Sequence, residues 1–147
     1  MKLARRIFLQ FAAAAATLPV GGLGARRSLL AVENLAAAVE TVLAAPAPLR
    51  RALIVADRQA LTVAEMVAAM RDGLGRRPNV FALSPVLLEV ALRVAGREEI
   101  FQRLSGSLVA DASALMSLGW APAMETRAGL AGLMRAGPQG ERLQSAP

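Results

Sequence analysis

Four short apolar runs, each bounded by charge, Pro or Gly, set the frame of this chain: Ser28–Val32, Ala52–Ala56, Asn79–Leu83 and Ser107–Ala110. Each has the length of a strand and is too short for a helix. Between them lie longer stretches whose apolar residues recur at helical spacing. These predict helices over Asn34–Ala45, Val63–Leu74, Val86–Ala95, Glu98–Leu104 and Thr126–Arg135, with a helical turn from Asp111 to Leu115. The order is β–α–β–α–β–α–α–β–α–α with short connections, which is the pattern of the α/β class.

Local signals support the helices. Thr62-Val-Ala-Glu65 is a capping box, in which the Thr hydroxyl accepts from the first turn and the Glu reaches back. Ser84-Pro85 has the chemistry of a cap followed by a first helical residue. Asn34 stands where a cap would open the first helix, and Pro46 and Pro48 stop it. Met66, Val67 and Met70 form a stripe of core type. Gly21-Gly22-Leu23-Gly24 reads as a flexible connector, and it is not the G-x-G-x-x-G of a dinucleotide loop.

Composition narrows the chemistry. Of 147 residues none is His, Cys or Tyr, so zinc ligation of the usual kind, a thiol nucleophile, a disulfide framework and a histidine base are all excluded. Carboxylates and arginines remain. The formal charge of +6 rests on Arg, since Lys2 is the only lysine. The arginines are scattered and aromatics make up 3% of the chain, so stacking platforms for nucleic acid are lacking and no nucleic-acid partner is expected. Arg26 and Arg27, fixed cations at the entrance of the first strand–helix unit, are the leading candidates for a ligand contact.

Residues 1–25 hold a basic start and then an Ala-rich apolar run from Phe11 to Val20. That run falls short of the roughly 20 residues a membrane helix needs, so no stable span is expected. Arg5-Arg6-Ile-Phe8-Leu9 resembles a twin-arginine export signal. The preferred expectation is an apolar helix packed on the body of the protein, with a cytoplasmic location; export is the alternative. Residues 26–136 are expected to form the folded part and 137–147 a polar, flexible tail.

Several segments resemble one family. Arg27-Ser-Leu-Leu-Ala-Val-Glu-Asn-Leu35 is similar to the R-x-φ-φ-x-V-x-D-φ segment of extended short-chain dehydrogenases, the NAD-dependent epimerases and dehydratases of sugar nucleotides. Leu61-Thr-Val-Ala-Glu-Met66 resembles their helix start, and Asp111-Ala-Ser-Ala together with Leu118-Gly-Trp-Ala-Pro122 resembles their D-x-S-K and L-G-W-x-P ending. The likeness runs from about Leu18 to the last helix and looks nearest to UDP-glucose 4-epimerase-like members. Asn34 stands where Asp is usual, and Ala114 where Lys is usual.

This resemblance implies the C-terminal portion of a Rossmann-type enzyme: the last sheet strands and a small substrate-binding lobe. The G-x-x-G-x-x-G loop and Tyr-x-x-x-Lys pair of the family's dinucleotide half do not occur in this sequence. The expectation is therefore a truncated epimerase/dehydratase, inactive alone, with no cofactor of its own although the intact family uses NAD. By the same resemblance Arg27 faces the phosphates of a UDP-sugar, with Arg26 and Arg103 as lesser candidates, and no catalytic residue is assigned. The alternative is a sugar-nucleotide-binding or partner module. Self-association, or pairing with a separate dinucleotide-binding half, is expected because faces that pack on that half would otherwise be bare.

Overall fold

The structure is a computed structural model that describes residues 17–137. The expected export signal or helix within residues 1–16 and the expected tail at 138–147 lie outside the described residues. Those described form a small α/β protein with six helices and one two-stranded sheet. In chain order these are β1 (Arg26–Arg27), α1 (Val32–Leu43), β2 (Leu61–Thr62), α2 (Val63–Gly73), α3 (Pro85–Val94), α4 (Glu98–Ser105), α5 (Ser113–Met116) and α6 (Thr126–Arg135). None of these helices is long and apolar enough to cross a membrane.

The helices fall within two residues of their expected bounds, α1 being shifted two residues toward the N-terminus at both ends, because their signals are local. The capping box is formed: Thr62 Oγ1 accepts from the Glu65 amide at 3.2 Å, and Glu65 Oε2 accepts from the Thr62 amide at 2.8 Å. Met66, Val67 and Met70 are buried, with Leu61, Leu74 and Met134, in a cluster between α2 and α6. Gly73 lets those two helices touch, since a Cβ there would lie 2.3 Å from the carbonyl oxygen of Ala131.

Two caps differ from expectation. Ser84 precedes α3 with Pro85 at its start, but its side chain makes no cap bond. Asn34 does not cap α1, which begins at Val32 after an extended Ala31. Its amide is drawn away to distant partners instead.

Among the described residues none of the four apolar runs becomes a named strand; the two strands lie beside them, at Arg26–Arg27 and Leu61–Thr62. β1 and β2 pair antiparallel, Arg26 opposite Thr62 and Arg27 opposite Leu61. The runs themselves contribute single bridges or bonds. Arg27 bridges Leu108 in parallel, and Leu18 bridges Val80. The Ala52–Ala56 run ends in one cross-strand bond, from the Asp57 amide to the Leu29 carbonyl at 2.8 Å. Within it Leu53 and Val55 pack against Ala38, Leu115 and Trp120 and Ala56 is buried, while Ile54 is 55% exposed. A ladder needs an adjacent extended partner along its length, and among the described residues these runs meet one only at single positions. The sheet of the described residues is the two-stranded pair of β1 and β2.

The glycine connector is also tighter than expected. The Gly21 amide donates to Phe81 at 2.9 Å, and a Cβ on Gly22 would sit 2.0 Å from the Leu83 oxygen. Close backbone approach, rather than flexibility, is what glycine supplies there. Val20 and Leu23 lead from it into a third cluster with Leu88 of α3 and Phe101 of α4.

Candidate functional site

β1 is the meeting line of segments far apart in sequence. β2 lies on one side of it. On the other, the Leu108 amide donates to the Arg26 carbonyl and the Ser28 amide to the Leu108 carbonyl, both at 2.9 Å. Ser107 Oγ accepts from the Arg26 amide at 3.1 Å, and Ser28 Oγ from the Ala110 amide at 3.0 Å. Successive side chains of a strand leave on opposite faces, so the two arginines of β1 part company.

Arg26 lines a polar cleft of about 420 Å³ together with Arg58, Gln59, Glu65 and Arg127. Its Nη1 donates to the Ala60 carbonyl at 2.9 Å and stands 3.8 Å from Glu65 Oε2. Arg127, at the start of α6, donates to Glu65 Oε1 at 2.8 Å. The Glu65 carboxyl is held below the usual carboxylate range, foremost by the Thr62 amide; burial opposes this, and the Thr62 hydroxyl, Arg127 and Arg26 add to it. Glu65 is therefore a fixed negative charge with a cation on either side. The loop above it is tied down as well, because Thr126 Oγ1 donates to the Gln59 carbonyl at 3.1 Å.

Arg27 lies outside that cleft. Its Nε is buried and has no hydrogen-bond partner among the described residues. Leaving a buried charged donor unpaired is costly; Nε itself is shut off from solvent, while the Arg27 side chain as a whole is half-buried. Arg103 sits elsewhere, on α4, facing Glu99 at 3.4 Å and lining an open depression of about 410 Å³ with Glu98 and Gln102. Arg26, Arg27 and Arg103 are thus not gathered into one lining.

Behind β1 stands a buried polar knot. Asn34 Nδ2 donates to Asp57 Oδ1 and to the Met124 carbonyl, each at 2.8 Å, and its Oδ1 accepts from the Met124 amide at 3.0 Å. The Ala31 amide donates to both Asp57 oxygens, at 3.1 and 3.2 Å. The knot locks the turn from β1 into α1 and fixes the backbone from which Arg27 projects.

Sequence reasoning passed over Arg58, Glu65 and Arg127 as site residues. Glu65 reads only as a cap, and nothing local marks Arg58 or Arg127 as its neighbours. Asn34 was read as a cap, and its tie to Asp57 has no local signal either. Among the described residues no group of three or more acidic side chains is placed to hold a metal. Compared with family models, curated proteins and solved structures, the chain finds no match.

Proposed function

We propose that this chain is the nucleotide-sugar-facing lobe of an extended short-chain dehydrogenase, of the NAD-dependent epimerase/dehydratase kind, and that Arg27 contacts the diphosphate of a UDP-sugar. The observation that carries the reading is Arg27 itself, half-buried on β1 and apart from the carboxylate of Glu65, at the Arg position of the segment that resembles the family. A guanidinium suits the task because it keeps its charge and presents planar donors to phosphate oxygens.

The lobe binds and orients; it does not turn over substrate by itself. Hydride transfer and proton abstraction belong to the dinucleotide half, whose Gly-rich loop and Tyr-x-x-x-Lys pair do not occur in these 147 residues. Bare apolar residues support the presence of such a companion. On α1, Val32 and Leu43 are 77% and 79% exposed, and on α3 Val94 is 85% exposed. Large apolar residues grouped on helices in this way are the mark of a surface that another polypeptide segment covers.

Isothermal titration calorimetry with UDP-glucose and with NAD tests the proposal. UDP-glucose is expected to bind saturably and NAD not to bind. Tight NAD binding by this chain alone, or no binding of UDP-glucose, would overturn it.

A further inference from the structure

The cleft on the other face of β1 has a charge and shape of its own, and it does not depend on Arg27. Three guanidiniums, from Arg26, Arg58 and Arg127, surround a single carboxylate, that of Glu65. Glu65 engages only two of them, Arg127 at 2.8 Å and Arg26 at 3.8 Å. Arg58, on the lip, makes no hydrogen bond or ion pair with a described residue. The cleft therefore keeps a surplus of two positive charges. Its walls are held in place: consecutive carbonyls of the Gln59–Ala60 loop accept from Thr126 and Arg26, and the Thr62–Glu65 capping box anchors the floor.

We infer that this cleft binds the phosphate monoester of a small polyhydroxy compound, a sugar phosphate in size and chemistry. A phosphate monoester carries about −1.5 to −2 charge at neutral pH, which balances the surplus. Arg58 and Arg26 offer forked donors to its oxygens. The volume of about 420 Å³ exceeds what a bare anion needs and falls in the range of small-molecule pockets, roughly 300–1,000 Å³. Among the described residues no aromatic side chain lines the cleft, so a nucleobase would find no stacking partner among them. Glu65 and Gln59 instead offer acceptors and a donor to hydroxyl groups, since a carboxylate with two oxygens has lone pairs beyond those used by Thr62 and Arg127.

Calorimetric titration of the full chain with glucose 6-phosphate, at low ionic strength, tests the inference. Binding is expected to be saturable and to weaken about tenfold or more in Arg58→Ala, the loss of one charge-assisted pair. Arg93→Ala removes an equal charge from α3, where Arg93 pairs with Glu89, and is expected to leave binding unchanged. Glucose and inorganic phosphate are each expected to bind about tenfold more weakly than the ester. Absence of saturable binding, indifference to Arg58→Ala, equal weakening by Arg93→Ala, or inorganic phosphate bound as tightly as the ester would each overturn it.

Discussion

Asn34 and Asp57, 23 residues apart, are joined by a hydrogen bond of 2.8 Å in which the amide nitrogen donates to the carboxylate. Asn34 is fully buried and Asp57 nearly so. The pair needs one partner that donates and one that accepts. An amide at position 34 meets this need, and its own oxygen remains available for the Met124 amide.

Asn34→Ala should therefore destabilise the protein by about 3 kcal/mol, because Asp57 Oδ1 loses one of its two donors and the part-buried Met124 carbonyl and amide lose their Asn34 partner. Asn34→Asp should cost still more at neutral pH, since it sets a carboxylate against the carboxylate of Asp57 and the Met124 carbonyl. Urea unfolding midpoints of the two variants rank them. An Asn34→Asp variant as stable as the parent would show that the knot does not govern the β1–α1 turn.

The two glycines Gly73 and Gly132 should respond in opposite ways to alanine. At Gly73 the new Cβ would press on the Ala131 backbone, where α2 and α6 cross, and the overpacking should cost about 1–3 kcal/mol. At Gly132, inside α6, the nearest atom to an added Cβ is the tip of Arg135 at 3.9 Å. Gly132→Ala should stabilise the helix by up to about 1 kcal/mol. Thermal melts of both variants measure the contrast.

Trp120 is 3% exposed, and its indole N–H is buried without a hydrogen-bond partner among the described residues. Trp120→Phe removes that unpaired donor along with some volume, so its cost should stay below about 1.5 kcal/mol. Trp120→Ala opens a cavity beside Leu115 and should cost about 3–5 kcal/mol. Denaturant titration of the pair separates loss of packing from loss of the polar group.

Glu65 titrates lower in the folded chain than its ordinary value of 4.5. The folded state therefore binds this proton less readily than the unfolded state. The stability it confers is fully present above about pH 4.5 and is lost as pH falls through the lowered folded value. Melting temperatures between pH 7 and pH 3 should fall less steeply for Glu65→Gln than for the parent. Parallel curves would remove Glu65 from the acid response.

What the sequence made legible follows from the range of each interaction. Thr62 with Glu65 and Met66 with Met70 act over one helical turn, so α2 could be read directly, and α6 likewise. The apolar runs at 28–32 and 52–56 could not be resolved in the same way. An extended run becomes a strand only if neighbours complete its ladder, and here most of the pairing stops after one or two residues. The site was legible in part. Arg26 and Arg27 stood out as charges at a strand entrance, but their separation onto two faces, and the arrival of Arg58 and Arg127 beside Arg26, depend on tertiary packing that no local pattern records.

The central claim concerns Arg27 and phosphate, and the affinities of UDP and uridine for the parent chain and Arg27→Ala test it most directly. The expected result is that Arg27→Ala weakens UDP about tenfold, the worth of one charge-assisted hydrogen bond, while uridine binds both proteins alike. UDP binding that is indifferent to Arg27→Ala, or uridine binding that falls equally with it, would contradict the assignment.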